Sequence, residues 1–486
     1  MKHANAYCNK NESLGRRARG LARVGGAWGL VVSLAAAANL ASAQGTPGAA
    51  APAPAPKPAD TSLTWNGITF YGIVDIGVQY QTHGVPESDY FPAGTESIVQ
   101  KNSAGSVTAV TPSNLSQSRV GLAGKEALVG DWSGVFRFET FFNPQSGNLS
   151  DALKSQVLNN GRALAAQSTN VDSSVAGQLF AGAAYAGFSS PTYGTLTFGR
   201  HVTPLADGIA KYDPMGAAQA FSLIGFSGTA AGGGDTEDRR LDQSAKYTAK
   251  FGAVHVGALY QFSGASGTTN TAAQAQLGAE GGGGSIDLYY AKKYDAIATA
   301  PLSAAQVAGL PALGYSPSNS LAATISDNTT YSVMGSFGFG APTVFAGYEH
   351  IKFSNPNTPL TAGSLTIGGY VIAVPNNTAF AKDKVLQVYW AGVKYAASKE
   401  LDLIAAFYGY HQNSFATGAN AGCSDNRSSG CSGSESSVSL VADYKFAKRF
   451  DGYVGTFWTD VQDGLAALPW PNKSTLTTTA GIRFRF

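Results

Sequence analysis

The 486-residue sequence has few charged residues and no internal apolar segment long enough to form a membrane-spanning helix. Asp, Glu, Lys and Arg make up 13% of the chain, about half their usual share in a soluble domain. A membrane helix requires about 20 consecutive, mostly apolar residues. The low charge therefore argues against a soluble α/β enzyme, and the missing apolar run excludes a bundle of membrane helices.

Patterns that carry catalytic chemistry are also missing. The motifs G-x-S-x-G, H-E-x-x-H and Walker A do not occur. The His residues lack metal-ligand spacing; after residue 43 they are His83, His201, His255, His350 and His411. The glycine run at 281–284 fits a hairpin turn better than a phosphate loop, because no helical pattern follows it. We expect no enzymatic activity, no cofactor and no metal.

Gly and aromatic residues are abundant, and the chain contains repeated segments of about ten residues that alternate apolar and polar side chains. In the first segment, Ile68, Phe70 and Val74 share one face, and Thr69 and Asp75 share the other. This period of two predicts strands. The sixteen predicted strands span residues 67–80, 116–128, 132–142, 179–189, 194–202, 243–251, 254–264, 273–280, 285–294, 329–339, 343–353, 385–396, 400–412, 436–446, 451–460 and 475–486.

The predicted connections alternate between short turns, such as 129–131 and 340–342, and long polar loops, such as 84–114 and 295–328. This alternation is typical of a transmembrane β-barrel. Lipid offers no hydrogen-bond partner to the backbone, so a sheet that crosses the membrane must close on itself. We predict an all-β fold: a sixteen-stranded antiparallel transmembrane β-barrel with long extracellular loops and a water-filled lumen.

The first 62 residues have a different composition. Basic residues, including Arg16 and Arg23, precede an apolar segment and then Ala41-Ser42-Ala43, which is typical of a secretory signal; a membrane anchor is the alternative. We expect a signal peptide at 1–43, a disordered Ala/Pro-rich tether at 44–62 and the barrel at 63–486. Because six of the 33 basic residues and one of the 31 acidic residues precede residue 44, the remainder has 27 and 30, a net charge of −3. Nothing therefore points to nucleic-acid binding.

Cysteine is rare, with three residues in the chain. Cys8 lies in the predicted signal peptide. Cys423 and Cys431 remain as an isolated pair in a polar, loop-like segment, and such a pair in an exported protein indicates a disulfide.

Four segments resemble the Gram-negative general porins, in the branch typical of betaproteobacteria. They are "FYGIVDIGVQY", "SQSRVGLAGKEALVGDWSGVFRFETFFN", "YGTLTFGRHVTPLADG" and the terminal "AGIRFRF". The resemblance covers nearly all of 63–486. It implies a homotrimer in outer-membrane lipid that passes small hydrophilic solutes and ions by passive diffusion. It also implies that the barrel assembly machinery recognises a terminal Phe, which makes Phe486, with Phe484 and Ile482, an assembly signal. A substrate-specific channel and an adhesive surface barrel are the alternatives.

The resemblance further implies that the third loop, residues 204–239, folds into the lumen and narrows the pore. Apolar residues in this loop (Tyr212, Met215, Phe221, Leu223 and Phe226) could pack on the inner wall; a solvent-exposed surface loop is the alternative. The acids expected at the constriction are Asp207, Asp213, Asp235, Glu237 and Asp238. Arg119, Arg137 and Glu139 are expected on the facing wall, although each Arg could instead form a salt bridge with a neighbouring strand. The chain departs from the family at Gly182, where an Arg is usual, and at Arg137, where a Gln is common.

Overall fold

The computed structural model describes residues 63–84, 105–163, 166–167, 177–224, 239–263, 271–417, 431–466 and 473–486. Sixteen long strands form the fold, as predicted. They are β1 (Ile68–Gln81), β2 (Arg119–Ala127), β3 (Ser133–Asn143), β4 (Ala183–Ser190), β5 (Gly194–Val202), β6 (Arg240–Phe251), β7 (Val254–Gln261), β8 (Ala272–Gly281), β9 (Gly284–Ala300), β10 (Ser320–Gly338), β11 (Pro342–Ser354), β12 (Lys384–Ala396), β13 (Leu401–Gln412), β14 (Gly433–Ala447), β15 (Phe450–Asp463) and β16 (Ser474–Arg485).

Every strand pairs antiparallel with its neighbour in the chain, and β16 pairs with β1 to close the barrel. At the closing seam Ile73 lies opposite Arg485 and Gln81 lies opposite Thr477. Closure leaves none of these sixteen strands with an unpaired edge, which is the condition for placing a sheet in lipid.

The predicted alternation of side chains is present on the strands of the seam. On β1, Val78 and Tyr80 are exposed on the outer surface, whereas Asp75, Gln79 and Gln81 are buried on the lumen side. Short turns connect the strands in pairs at one end of the barrel, for example at the two glycines between β8 and β9. Gly282 and Gly283 both have positive φ values, 59° and 86°, which residues with a side chain rarely adopt. Long connections join the strands at the other end.

The prediction was wrong about the connection between β9 and β10, which it placed at 295–328. β9 continues to Ala300 and β10 begins at Ser320, with an irregularity in register between Lys293 and Ala296. The hairpin therefore extends beyond the long-loop end of its neighbours. Polar residues there, such as Asp295, favour a loop by composition. Asp295 itself lies in the irregularity, with a φ of 51°, and the paired backbone resumes at Ala296.

Shorter elements lie in the long connections and ahead of β1. Five short strands are Leu63–Trp65, Val107–Pro112, Asn148–Leu149, Thr366–Ile367 and Tyr370–Asn376. The helices are α1 (Ala152–Leu158), α2 (Pro204–Tyr212), α3 (Ala304–Gly309) and a 3₁₀ turn, Leu310–Leu313. Among the described residues, no helix has the length and apolarity needed to cross a membrane.

Candidate functional site

The third loop, residues 204–239, enters the barrel one residue after β5. Its helix α2 starts with Thr203, whose hydroxyl accepts a hydrogen bond from the Ala206 N–H at 3.2 Å, followed by Pro204 in the first turn. A side-chain cap and a Pro at this position both favour helix initiation. The chain therefore turns from strand to helix within one residue, and the loop folds inward.

Apolar side chains of the third loop pack against one side of the inner wall. Tyr212, Met215 and Phe221 are buried, and Leu223 is partly buried against the same cluster, so the structure confirms these wall contacts; Phe226 lies outside the described residues. The wall partners in this cluster come from β9 to β15: Tyr289, Ala291, Met334, Ile351, Phe353, Leu386, Val388, Trp390, Ala406, Tyr408, Tyr410, Val441, Tyr453, Phe457 and Val461. Burial of this apolar surface holds the loop within the lumen.

Hydrogen bonds from the wall hold the backbone of the loop. Trp390 Nε1 donates to the Tyr212 carbonyl at 3.0 Å. The Tyr410 hydroxyl donates to the Leu223 carbonyl, also at 3.0 Å. Because buried carbonyls without partners are costly, these aromatic donors make the loop's backbone compatible with the apolar wall.

Asp213 does not face the pore, and the prediction that it lines the constriction is wrong. It is 2% exposed and accepts a hydrogen bond from the Tyr408 hydroxyl at 2.6 Å. It also accepts from the N–H groups of Met215, at 3.0 Å, and Ala217, at 2.8 Å. Burial raises the pKa of the Asp213 carboxyl, although these hydrogen bonds oppose the shift. Asp213 thus attaches the loop to the wall.

Two glycines in the wall make room for the loop. A Cβ at Gly392 would lie 2.4 Å from Cγ of Pro214, and a Cβ at Gly455 would lie 2.8 Å from a ring carbon of Phe221. Distances this short are not found for real Cβ atoms. The loop therefore approaches the backbone of β12 and β15 closely at these two glycines, which carry no side chain.

The end of α2 is fixed to the wall at Asp287, which the sequence analysis did not identify. Asp287 is completely buried. It accepts hydrogen bonds from the Tyr212 hydroxyl, from Lys211 Nζ at 3.1 Å and from Gln276 Nε2 at 2.9 Å, and it lies 2.5 Å from His255 Nε2. In the sequence, Asp287 is an acidic residue on the inner face of a strand far from the third loop, and no local pattern shows that the two meet.

The opposite wall, formed by β1 to β6, carries the predicted arginines. Arg137 Nη2 lies 2.6 Å from Glu139 Oε2, and Arg119 Nε lies 3.7 Å from the same oxygen. The Tyr71 hydroxyl accepts from Arg137 Nε at 2.7 Å and donates to Glu139 at 3.0 Å. All three predicted wall residues therefore meet in one lumen-facing cluster. Arg119 of β2 forms the salt bridge to a neighbouring strand that was given as the alternative, whereas Arg137 pairs with Glu139 of its own strand.

Three further arginines join this wall, and the sequence analysis did not assign them to it. Arg240 interacts electrostatically with Arg119, Arg200, Arg239 and Glu139. Their position at the end of β5 and the start of β6 is the signal that could have identified them, since both strands flank the third loop. Glu139 is thus surrounded by an excess of positive charge.

At Gly182, where the family usually has an Arg, a Cβ would lie 2.7 Å from Cγ and from Oε1 of Glu139. Arg240 Nε donates to the Gly182 carbonyl at 3.0 Å. A larger residue at 182 would displace Glu139 from its present position. In this chain the guanidinium groups near Glu139 come from β2, β3 and β6 instead.

A cavity of about 720 Å³ lies between α2 and the arginine-bearing wall. Its lining includes Arg137, Glu139, Asp207 and Lys246. Asp207 is on α2, with more than half of its side chain exposed, and pairs with Lys246 Nζ at 2.5 Å. Charged residues of the wall (Arg137, Glu139 and Lys246) and of the loop (Asp207) therefore border one open space, which is an arrangement that allows fixed charges to act on passing ions.

The remaining predicted sites are placed as follows. Asp235, Glu237, Asp238 and Cys423 lie outside the described residues, so the predicted disulfide stays a prediction; Cys431 is buried.

In the last strand, Ile482 and Phe484 are exposed on the outer surface, whereas Arg483 points inward and pairs with Asp443 and Asp451. Phe486 exchanges two backbone hydrogen bonds with Gly72 and its ring lies 5.3 Å from that of Phe70.

A closed sixteen-stranded barrel with a charged, partly open lumen defines a membrane channel. A sequence profile described as Gram-negative porin matches residues 30–463. The chain belongs to the Gram-negative porin family and forms an outer-membrane channel for solute diffusion.

Solved structures share the fold at low sequence identity. An anion-selective porin from Comamonas acidovorans is 16% identical, with a TM-score of 0.55 over 86% of this chain and 99% of that one. OmpT, an outer membrane protein of Vibrio cholerae, is 12% identical, with a TM-score of 0.52 over 88% and 100%. A trimer form of OmpT is 13% identical, with a TM-score of 0.51 over 86% and 99%. Among proteins with curated functions, none matches this sequence.

Proposed function

We propose that this channel is a general diffusion porin with a weak preference for anions. The observation that carries the proposal is the arginine wall around Glu139, which faces the third loop across an open cavity. Arg119, Arg137 and Arg240 act electrostatically on Glu139, and Arg200 and Arg239 lie near Arg240. Two other acids of this region are each paired with a cation, Asp242 with Arg200 and Asp207, on the loop, with Lys246. The local charge is therefore positive although the predicted mature chain has a net charge of −3.

Local charge dominates because of distance. Charges separated by more than about 8–10 Å through salt solution are largely screened, whereas those that line a narrow pore act on an ion within it. The burial of Asp213 strengthens this argument, since it removes one of the predicted acids from the loop's pore-facing side. The likeness to the anion-selective porin of Comamonas acidovorans is a likeness of fold, so selectivity rests on this chain's own residues.

We further propose a homotrimer that is exported through a cleaved signal peptide at 1–43, with residues 44–62 as a tether ahead of the barrel at 63–486. The trimer form among the similar structures supports this assembly. Outer-membrane lipid surrounds it, and the barrel assembly machinery recognises Ile482, Phe484 and Phe486. A heat-modifiable trimer band from the outer-membrane fraction is expected. A water-soluble monomer would contradict the proposal.

Recording single channels in planar bilayers tests the function itself. A general porin gives large ohmic steps, and a salt gradient then gives a reversal potential of the sign expected for anions. Small steps that are blocked by one solute would indicate a substrate-specific channel instead. Correctly assembled protein that gives no steps at all would indicate an adhesive barrel. We expect no catalytic activity from any of these forms.

A further inference from the structure

The second loop, residues 143–182, leaves the barrel between β3 and β4 and meets loops from the opposite side. Its helix α1 contacts β10, which is seven strands from β3 in a barrel of sixteen. Strands on nearly opposite walls are separated by the full width of the lumen, on the order of 25–30 Å for sixteen strands at about 4.8 Å spacing and a tilt near 40°. The partners of α1 and its flanking residues are the extension of β10 and the long connections beside it, so these segments meet at the long-loop end of the barrel, over the mouth.

The contact begins while the second loop is still attached to its own wall. The Ser150 N–H donates to the Phe141 carbonyl of β3 at 3.1 Å. The next residue, Asp151, accepts from the Tyr370 hydroxyl at 2.8 Å, and its other carboxylate oxygen caps α1 through the Lys154 N–H at 3.1 Å. Tyr370 belongs to the connection between β11 and β12, so that connection leans across the mouth to the β3 side.

At the other end of α1, Asn160 makes three hydrogen bonds to the connection between β9 and β10. Its Nδ2 donates to the carbonyls of Pro317, at 2.7 Å, and Ser320, at 2.8 Å. Its Oδ1 accepts from the Leu302 N–H at 2.6 Å, and the neighbouring Gly161 N–H donates to the Leu302 carbonyl at 2.7 Å. One side chain thus joins both arms of the β9–β10 connection to the second loop.

An apolar cluster lies between these two polar contacts. Leu153 of α1 is buried with Leu321 and Ile325 of β10 and with Ile372. Val157, one turn further along α1, packs on the same group. Because burial removes these apolar side chains from water, α1 rests on this cluster as a packed element.

The surface that receives α1 is itself ordered by backbone pairing. The extension of β10, Ser320 to Thr324, pairs in parallel with residues 371–376 of the short strand Tyr370–Asn376. The same part of β10 pairs with β9 on its other edge, up to Ala300. The extended hairpin is therefore a small three-stranded platform above the barrel rim.

We infer that α1 with Asp151, Asn160 and Gly161, which we term the mouth bridge, is a second size-selecting element in series with the third loop. The inference rests on the proposed diffusion function. The bridge spans the entrance. Two of its contacts across the mouth come from the neutral side chains of Asn160 and Leu153. The third comes from Asp151, whose carboxylate already accepts hydrogen bonds from the Tyr370 hydroxyl and from the Lys154 N–H of the helix cap. It therefore limits the size of a solute and leaves the sign of selectivity to the arginine wall.

The variants Asn160→Ala and Leu153→Ala/Asn160→Ala test the inference. Each hydrogen bond to the backbone changes an equilibrium roughly fivefold, so loss of three bonds opens the bridge for much of the time. In proteoliposomes that swell in sugar solutions, we expect the trisaccharide-to-monosaccharide rate ratio to rise for Asn160→Ala and to rise further for the double variant. The reversal potential in a salt gradient should stay that of the unaltered protein.

Asn413→Ala is the matched control. Asn413 also joins two backbone segments, through Val385 N–H at 2.7 Å and the Asp383 carbonyl at 3.0 Å, but both lie beside its own strand and not across the mouth. Its sugar ratio should not change. Tyr370→Phe, which removes only the hydroxyl, provides a mild variant if the double variant does not assemble. An unchanged ratio in assembled Asn160→Ala and Tyr370→Phe would overturn the inference, whereas absence of swelling in the unaltered protein would count against the diffusion function instead.

Discussion

Replacing Asp213 by Ala should release the tip of the third loop from the wall and make the channel wider and noisier. The change removes the acceptor of the Tyr408 hydroxyl and of two loop N–H groups. Hydrogen bonds to a charged group contribute about 1.5–3 kcal/mol each, but bonds in one network do not add, and the variant also relieves the cost of a buried charge. Only the Tyr408 bond reaches the wall, because Met215 and Ala217 belong to the loop itself. We therefore take the contribution of one such bond, about 1.5–3 kcal/mol, which lowers the ratio of attached to detached loop roughly 10- to 100-fold.

Single-channel recording measures this effect directly. We expect Asp213→Ala to show a larger mean conductance and added current noise, because the loop leaves the wall for part of the time. Tyr408→Phe removes the wall donor but leaves the acid and its donors within the loop, and it should give a smaller change in the same direction. Heat-modifiable mobility on gels provides the check that each variant has assembled. If assembled Asp213→Ala has the conductance and noise of the unaltered protein, Asp213 does not hold the loop.

The pH dependence of the same contact has a definite sign. Burial raises the pKa of the Asp213 carboxyl above its ordinary value, so the attached loop binds this proton more tightly than a detached loop does. Attachment is therefore strengthened as the pH falls through the raised pKa and weakened as the pH rises through that window. Current noise should decrease on acidification of the unaltered channel, and Asp213→Asn, which has no titrating group, should lack this decrease. Noise that rises on acidification in the unaltered channel alone would contradict the assignment.

Three other predictions concern selectivity, assembly and the loop cysteines. Arg137→Gln should shift the reversal potential in a salt gradient toward cations and Asp207→Asn toward anions; if neither moves it, these residues do not act on the ion path. Deleting Phe486 should lower the amount of assembled protein at unchanged unit conductance, and normal assembly would refute its role as a signal. Reduction of a Cys423–Cys431 disulfide should leave the barrel intact, because a loop with seven intervening residues contributes roughly 2–3 kcal/mol; free thiols at both positions in the exported protein would show that the bond does not form.

The barrel could be predicted from the sequence because its strands obey a local rule. In β16, Ile482 and Phe484 are outward and Arg483 is inward, and the alternation of residue types alone gives this pattern. The rule fails where the lipid boundary ends. The extensions of β9 and β10 carry buried polar residues such as Asp295 and Asn328, so composition indicated a loop, although the ladder of hydrogen bonds resumes beyond the irregularity between Lys293 and Ala296.

The site could be predicted only in part, since charges are visible in a sequence and partners are not. Arg119 and Arg137 lie on the lumen face because alternation places them there. Asp213 and Asp207 are equally acidic and lie six positions apart on the same loop, yet one is buried against Tyr408 and the other borders the cavity. That difference depends on a strand almost 200 residues further along the chain, and no local pattern contains it.

One signal in the sequence does indicate where the third loop docks. A water-filled lumen favours polar side chains on the inner face of a barrel, but β12 places Leu386, Val388 and Trp390 there, next to Gly392. A strand that is apolar on both faces must be covered on both, by lipid outside and by protein inside. The strands that keep a charged inner face, β2 with Arg119 among them, then border the open pore. Apolar inner faces together with inward glycines therefore divide the wall into a docking side and a conducting side, and substituting Gly392 should disturb the loop more than substituting a glycine in an exposed turn.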